Sequence, residues 1–211
     1  MPKVYLSYPI SSPAVLAKER EHVMFIGAGA GIATFLCFVD REFIKSTRSR
    51  SESAGDLSIQ KVEKPKNKKM DLVFICREIE HMRWMAKYLN AVLTVPEMTD
   101  KMRFHIYITV KLESNNISSF LFWRAMIMYN REQENISHRG SSLVIKLGRP
   151  NFERLIQDVC IDNLVRTHHI YACGPKVMTK KIEGIVNKSN SQPSSSSKEN
   201  KTKIIFNYEI F

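Results

Sequence analysis

The sequence predicts an α/β domain, built as a parallel sheet in three layers with helices on both faces. Two observations predict it. Short apolar runs rich in β-branched and aromatic residues alternate with segments of helical spacing, and three glycines follow the first apolar run. Alternating strands and helices favour a parallel sheet, because the crossover helices cover both of its faces. A chain of 211 residues is long enough for one domain with a substantial core, or for two very small ones.

Five segments make up the first half of the predicted domain. Residues 22–27 are a buried strand, because β-branched and aromatic residues run together until the glycines end them. Residues 33–45 are a helix with an apolar face, and the polar stretch 46–69 is a mobile loop insertion, long for a compact domain. A second apolar strand covers 70–78, and an amphipathic helix covers 81–93.

The alternation of strand and helix continues in the second half. A third strand is predicted over 104–110, a short helix within 116–130, and a short strand or extended turn over 141–150. A helix over 151–164 then precedes a strand over 168–175, which ends in Gly-Pro.

The last predicted elements surround a polar tract. Residues 176–188 are a helix, the serine-rich stretch 189–203 is predicted to be mobile, and residues 204–211 are a strand. No internal repeat is visible, which leaves a single layered domain as the predicted architecture.

The net charge of the chain limits the classes of partner that we expect for it. The formal net charge of +11 favours an anionic partner. Residues 45–69 alone hold eight Lys or Arg and three Asp or Glu, a net of +5 in a stretch of low hydrophobicity. Since this excess lies in a predicted solvated loop without interleaved aromatic residues, we expect no nucleic-acid partner.

Cysteine and histidine placement predicts no metal site. The four cysteines form no C-x-x-C pair, and the first residues lack the pattern of a signal peptide, so we expect reduced thiols in a cytosolic environment. The adjacent His168 and His169 would point to opposite faces of a strand, which favours a structural role over a metal or haem site.

An uncharged run of seventeen residues, from Val23 to Val39, has two interpretations. A membrane-spanning helix needs about 20 apolar residues, and Gly27 and Gly31 have the G-x-x-x-G spacing of packed membrane helices. Three glycines in one helix would, however, cost roughly 1 kcal/mol each relative to alanine. A strand, a tight turn and a helix explain them better, because glycines let backbone N–H groups approach a pyrophosphate.

The glycines give an incomplete dinucleotide fingerprint. Gly27, Gly29 and Gly31 read G-x-G-x-G, and Ile32 stands where the Rossmann pattern has its last glycine. After the second strand stands Arg77, in place of an acidic residue that would bind a ribose hydroxyl. A guanidinium pairs with a phosphate through two parallel hydrogen bonds, which favours NADPH over NADH. A surface arginine without a ligand remains the alternative.

Six motifs in this order resemble those of one protein family: FIGAGAGIATF, VFICRE followed by MRWMAKYL, HIYITV, LGRPNF, YACGP and IIFNYEIF. Together they resemble the NADPH-binding half of NADPH oxidases, in the ferric reductase and ferredoxin-NADP reductase superfamily. The resemblance runs from about Tyr8 to Phe211. It implies a ferredoxin-NADP reductase-like nucleotide-binding domain. The implied activity is hydride transfer from NADPH to FAD, with electrons passing through membrane haems to oxygen to give superoxide.

The resemblance also implies the site residues. Arg77 would bind the 2'-phosphate, and Arg149 the adenine-side phosphate or ribose. Cys173 and Phe211 are the implied catalytic pair: Cys173 positions the nicotinamide and is not a nucleophile, and Phe211 covers the flavin ring until the nicotinamide displaces it. The implied cofactor-binding residues are Gly27, Ala28, Gly29, Ala30, Gly31, Thr34, Cys76, Arg77, Arg149, Pro150, Cys173, Gly174 and Pro175.

The glycine turn departs from the family pattern at Ala33, which replaces a threonine. The missing hydroxyl removes one hydrogen bond to the cofactor, worth on the order of 1 kcal/mol, and Thr34 offers a partial substitute. The stretch YPISSPA, residues 8–14, resembles an altered form of the loop that ends the preceding FAD domain. These departures leave open a stand-alone or degenerate nucleotide-binding module without redox activity.

The resemblance implies a division of the chain and a set of partners. Residues 1–21 correspond to the end of an FAD-binding domain and a linker, and residues 22–211 to the NADPH-binding domain. The implied partners are the FAD-binding and haem-bearing membrane domains of a larger oxidase, which would hold this chain at the cytosolic face of a membrane. The equivalent module of a ferric reductase and a membrane- or nucleic-acid-associated protein that uses its basic loop are further alternatives.

Overall fold

The computed structural model describes residues 17, 20–41, 69–94, 101–109, 121, 124, 125, 128, 143–162, 165–191 and 202–210. Strands and helices alternate through them. The strands are β1 (His22–Ala28), β2 (Lys69–Cys76), β3 (Met102–Ile108), β4 (Leu143–Leu147), β5 (Thr167–Gly174) and β6 (Lys203–Ile210). The helices are α1 (33–41), α2 (Ala86–Thr94), α3 (Phe152–Asp162) and α4 (Lys176–Ser191), with 3-10 turns over Gly29–Ile32 and Ile79–Met85.

These six strands form one sheet in the order β4-β3-β2-β1-β5-β6, and every neighbouring pair is parallel. Helices cover both faces. Phe35 of α1 and Tyr88 of α2 belong to the apolar cluster on one face, while Ile156 of α3 and Ile182 of α4 belong to the cluster on the other. The predicted three-layer α/β fold is therefore confirmed.

The apolar run of β1 is continuous because this central strand is buried on both faces. Phe25 faces α1 and stacks on Phe35 with ring centroids 4.7 Å apart. Met24 and Ile26 face the opposite cluster. Burial of each large side chain stabilises the fold by roughly 1.5–3 kcal/mol, which anchors the strand and the turn that follows it.

Most element boundaries differ from the predicted ones by one to three residues, and the differences around β2 have visible causes. Strand β2 ends at Cys76, two residues early, because Arg77 and Glu78 are exposed. It begins at Lys69, inside the predicted loop, where the Lys69 N–H donates to the Glu21 carbonyl at 2.9 Å. The helix predicted over 81–93 is a 3-10 turn over Ile79–Met85 followed by α2.

The bounds predicted for the mobile polar tract, 189–203, are wrong at both ends. Helix α4 continues through Ser191, and β6 already begins at Lys203. The Asn190 side chain joins the two elements, because it donates to the Ile204 carbonyl at 2.8 Å and accepts the Ile204 N–H at 3.1 Å. The polar composition of this tract favours solvent exposure, but the Asn190 side chain ties the end of α4 to β6.

Several predictions concern other parts of the chain. Residues 1–16, 46–68, 192–201 and Phe211 lie outside the described residues. Within the helix predicted for 116–130, the described residues 121, 124, 125 and 128 are helical.

A buried charged cluster crosses the amino half of the sheet. The Asp71 carboxylate accepts hydrogen bonds from Arg103 Nε at 2.8 Å, His22 Nε2 at 2.8 Å and His105 Nε2 at 3.0 Å. The Nδ1 atoms of His22 and His168 are 3.0 Å apart. Burial favours a protonated Asp71, but the two histidines and the Arg103 charge hold its pKa well below the usual range. The Asp71 carboxylate therefore joins β1, β2 and β3, and the contact between His22 and His168 adds β5.

Candidate nucleotide-binding site

The predicted site lies at the carboxyl edge of the sheet, where the strand order reverses. Strand β1 has β2 on one side and β5 on the other, so the chain leaves β1 and β5 in neighbouring positions. Open α/β sheets bind ligands in the crevice at such a switch point. The glycine turn after β1 and the Cys-Gly-Pro turn after β5 both lie at this edge of the sheet.

The glycine turn, which holds Gly27, Gly29 and Gly31, joins the end of β1 to the 3-10 turn over Gly29–Ile32. A Cβ atom on Gly27 would lie 2.6 Å from the Ile32 Cα, so only glycine lets the chain fold back this closely. Gly29 has a φ of 54°, in the left-handed region. Residues 33–41 then continue as α1. The interpretation as a membrane-spanning helix is therefore wrong for this run, and no helix within the described ranges is long and apolar enough to cross a membrane.

Thr34, the predicted substitute for the missing threonine, is engaged within its own turn. Its hydroxyl donates to the Gly31 carbonyl at 2.8 Å. Of the smaller residues in this turn, Ala30 is exposed, Ala28 and Gly29 are half-buried, and Gly31 is buried. The surface offered to a ligand therefore consists mainly of backbone, as a phosphate cradle requires.

The Cys-Gly-Pro turn packs directly against the glycine turn. Cys173 lies opposite Gly27 in the register of β5 and β1. A Cβ atom on Gly174 would lie 3.0 Å from the Ala28 Cβ and 2.6 Å from Met178 Cε. Pro175 directly precedes α4, and its carbonyl accepts the Met178 N–H at 2.9 Å. The structure thus brings these two groups of predicted residues together.

Cys173 is a packing residue of the apolar cluster on one face of the sheet. Its side chain is buried, and burial raises the pKa of the thiol, an effect that the neighbouring Thr34 side chain partly opposes. A thiol with a raised pKa is a poor nucleophile at neutral pH. The role of Cys173 beside a nicotinamide stays a prediction.

Cys76 ends β2 and Arg77 follows it at the same edge of the sheet, and the two side chains have opposite environments. Cys76 is buried, its thiol donates to the Tyr107 carbonyl at 3.7 Å, and burial raises its pKa to about 11. Its carbonyl accepts the Thr109 N–H at 2.8 Å and the Thr109 hydroxyl at 3.1 Å. Arg77 is exposed. Cys76 therefore anchors the strand end, whereas the Arg77 side chain is accessible at the surface.

Arg149 and Pro150 are distant from the two turns. They follow β4, which lies three strands away from β1 at the edge of the sheet, a separation of about 14 Å at the usual strand spacing. Gly148, with a φ of 90°, reverses the chain before them, and its N–H donates to the Ile108 carbonyl at 2.8 Å. Arg149 is exposed and Pro150 is buried. The structure does not bring Arg149 to the glycine turn.

Sequence reasoning missed three positioning residues. Ile32 fills the space beside Gly27, Met178 fills the space beside Gly174, and Thr109 holds the strand end next to Arg77. Only Thr109 carries a polar signal, and its partner depends on the pairing of β2 with β3. Within the described ranges, no group of acidic, histidine and cysteine side chains could hold a metal ion.

Comparison with known proteins gives a consistent family match. A family model described as the ferric reductase NAD binding domain matches residues 20–187. NADPH oxidase 5 of Homo sapiens is 23% identical over 189 residues, covering 86% of this chain and 25% of that protein. Dual oxidase 1 of Rattus norvegicus is 23% identical over 192 residues, covering 90% and 12%. Dual oxidase 2 of Sus scrofa is 23% identical over 211 residues, covering 100% and 12%. The chain thus spans between an eighth and a quarter of the length of these relatives.

Proposed function

The chain belongs to the family of ferric reductase NAD-binding domains, and on this premise we propose that it binds NADPH as the dehydrogenase module of an NADPH oxidase. One observation carries the proposal. The glycine turn after β1 and the Cys-Gly-Pro turn after β5 lie side by side at the switch point of a parallel sheet, the position of the binding crevice in open α/β sheets. That crevice is where α/β sheets take dinucleotides.

Three parts of the nucleotide have a suitable group at this edge of the sheet: the pyrophosphate, the 2'-phosphate and the nicotinamide. Backbone N–H groups of the glycine turn bind the pyrophosphate, because Gly29 has no Cβ atom and open space surrounds the position that one would take. Arg77 pairs with the 2'-phosphate at the end of the neighbouring strand. Cys173 and Gly174 form the wall beside the nicotinamide and hold its ring in place through packing.

The proposed reaction is transfer of a hydride from NADPH to FAD. NADPH supplies the hydride from its nicotinamide C4, and FAD receives it at N5. The chain contributes orientation and a dry contact surface. The resemblance gives Phe211, which lies outside the described residues, the role of aromatic cover for the flavin. FAD-binding and haem-bearing membrane domains complete the enzyme, pass the electrons singly to oxygen, and hold this module at the cytosolic face of a membrane.

A second candidate function is a nicotinamide-nucleotide-binding module without redox activity. Ala33 supplies no hydroxyl, and the Thr34 hydroxyl already donates to Gly31. The cofactor therefore loses one hydrogen bond, which weakens its placement by on the order of 1 kcal/mol.

Two experiments separate these functions. The purified chain is titrated with NADPH and NADH by calorimetry, and we expect saturable binding with NADPH the tighter ligand. Absence of binding to either nucleotide would overturn both functions. The chain is then substituted for the matching segment of an active NADPH oxidase. NADPH consumption with superoxide formation supports the dehydrogenase module, and binding without consumption supports the second candidate.

A further inference from the structure

Three apolar side chains are exposed at one corner of the fold, where β6 ends and α4 begins. Val177 is 83% exposed, Ile210 49% and Tyr208 38%. Gly174, the partner of Ile210 in the register of β5 and β6, lies three residues before Val177. Tyr208 stacks on Phe206, with ring centroids 5.4 Å apart, and Phe206 packs against the apolar cluster beneath α3 and α4. Because side chains alternate along a strand, Tyr208 and Ile210 share the sheet face that α4 covers.

Helix α4 runs back along β6, so its first turns lie beside the end of that strand. It begins two residues after β5, which is parallel to β6. Its last turn is tied to the start of β6 by the two hydrogen bonds between Asn190 and Ile204. The first turns of α4 and the end of β6 therefore form one surface. The exposed side chains of this β6–α4 surface are Lys176, Val177, Lys180, Lys181, Tyr208 and Ile210.

The charged side chains of α4 are mostly lysines. The helix contains four lysines and one glutamate, and three of the lysines, Lys176, Lys180 and Lys181, lie in its first six residues. These three have no ion-pair partner among the residues that the structure describes. Lys188, in contrast, pairs with Glu153 at 3.4 Å. The β6–α4 surface therefore carries positive charge that the described part of the chain does not neutralise.

The placement of these lysines does not stabilise the helix. Lys176 lies in the first turn, where the helix dipole favours an anion over a cation, and no acidic residue lies in that turn. Lys176 and Lys180 are spaced i, i+4, so their like charges repel each other along one side of the helix. An anionic partner outside the chain would relieve both unfavourable interactions.

We propose that the β6–α4 surface contacts an anionic lipid membrane. The lysine ammonium groups attract the negatively charged lipids of the cytosolic leaflet, and the exposed apolar side chains enter the boundary between headgroups and acyl chains. Tyrosine is suited to this boundary, because its ring is apolar and its hydroxyl stays hydrated. The proposal rests on the proposed function only for the position of the chain beside a membrane, and it adds a direct contact that NADPH binding does not require.

A membrane fits the β6–α4 surface better than a protein partner does. Lysine is depleted in protein–protein interfaces relative to the rest of the protein surface. Lys176, Lys180 and Lys181 surround Val177 on the helix, so a protein that covered Val177 would also remove water from their ammonium groups. At a membrane, long lysine side chains keep their ammonium groups among hydrated headgroups while neighbouring apolar groups are covered.

The test measures cosedimentation of the full chain with large vesicles of phosphatidylcholine, with and without phosphatidylserine. We expect binding to the vesicles that contain phosphatidylserine, and weaker binding at high salt. Lys180→Glu should weaken this binding about tenfold or more, because it replaces an attractive charge with a repulsive one. Val177→Ser should weaken it about fivefold or more, because it removes apolar area that the membrane covers.

Lys146→Glu is the matched control for Lys180→Glu. Lys146 is exposed on β4, at the opposite edge of the sheet from β6, and the substitution makes the same change of charge. We expect it to leave vesicle binding unchanged. The control is needed because residues 45–69 carry a net charge of +5 and also attract anionic lipids. Circular dichroism verifies that all three variants fold.

The outcomes separate this proposal from the proposed function. Absence of binding to phosphatidylserine vesicles overturns the proposal, and equal binding to both kinds of vesicle does so too, because the lysines then have no role. It is also overturned if either Lys180→Glu or Val177→Ser leaves binding unchanged, or if Lys146→Glu weakens binding as much as Lys180→Glu. Calorimetric titration with NADPH tests the proposed function separately. A chain that binds the phosphatidylserine vesicles but not NADPH contradicts the proposed function alone.

Discussion

Gly27 on β1 and Cys173 on β5 stand opposite each other in neighbouring parallel strands. The two strands leave the sheet at adjacent points, and Ala28 and Gly174, the next residue of each, come into close contact. Two turns that lie far apart in sequence thus form a single surface. A substitution in either turn is expected to disturb both, because neither has space to move independently.

Gly27→Ala tests whether the turn needs glycine. The new methyl group would lie 2.6 Å from the Ile32 Cα, so the 3-10 turn must shift away from the strand. We expect a loss of about 1–3 kcal/mol in the free energy of unfolding and a loss of NADPH binding. Urea denaturation and calorimetric titration measure the two effects.

Gly184→Ala is the matched control for that substitution. Gly184 lies within α4, and a Cβ atom there meets nothing within 4 Å. Because alanine favours a helix interior over glycine, the control is expected to gain roughly 0.5–1 kcal/mol. If Gly27→Ala is as stable as the control and binds NADPH normally, the close approach at Gly27 has no functional role.

Arg77→Ala tests the source of nucleotide preference. A hydrogen bond to a charged group contributes about 1.5–3 kcal/mol, so NADPH affinity should fall about tenfold or more. NADH affinity should stay the same, since NADH lacks the 2'-phosphate. Titration with both nucleotides measures the ratio. Arg166→Ala, which removes an exposed arginine at the opposite edge of the sheet, is the control. An unchanged NADPH to NADH ratio in Arg77→Ala would remove this arginine from the site.

Asp71→Asn tests the role of the buried carboxylate. Asparagine keeps the shape but presents an amide to side chains that all donate to Asp71, which leaves Arg103 without its counter-charge in a buried site. Breaking a buried ion pair in this way costs about 3–5 kcal/mol. Chemical denaturation at neutral pH measures the loss.

Asp40→Asn is the comparison for Asp71→Asn. Asp40 also accepts two hydrogen bonds, from Lys87 at 2.8 Å and from Tyr88 at 2.9 Å, but it lies on the surface. Water screens this pair, so the expected loss is below about 1 kcal/mol. Equal losses in the two variants would show that burial of Asp71 does not matter to the stability of the sheet.

Periodicity was sufficient to predict β1 and β5, because both are apolar runs ended by glycine. The family motifs led to the glycine and Cys-Gly-Pro turns without any knowledge of their contact. Strand order could not be predicted, and it places Arg149 at the edge of the sheet, away from the residues with which it was grouped. The Asp71 cluster was missed for the same reason. It depends on the pairing of strands whose residues are as far apart in sequence as His22 and His168.

His168 is the group through which the stability of this cluster depends on pH. Asp71 accepts a hydrogen bond from His22 Nε2–H, so a neutral His22 offers the lone pair of Nδ1 to the Nδ1–H of His168. His168 Nε2 is then unprotonated, and it has no hydrogen-bond partner among the described residues. Protonation would place an unpaired N–H in a buried site. Burial, with a smaller effect from the neighbouring His22, accordingly lowers the pKa of His168 to about 4.

The stability of the fold should therefore fall as the solution is acidified. In the unfolded chain a histidine titrates near pH 6.5, so the unfolded state binds a proton before the folded state does. The contribution of His168 is complete above that pH and is lost between about 6.5 and 4, by on the order of 3 kcal/mol. Urea unfolding at several pH values measures this slope. His168→Phe removes the titrating group, and we expect a variant less stable at pH 7, because His22 Nδ1 loses its donor, but with a flatter slope. An equally steep slope in that variant would assign the acid sensitivity to other groups.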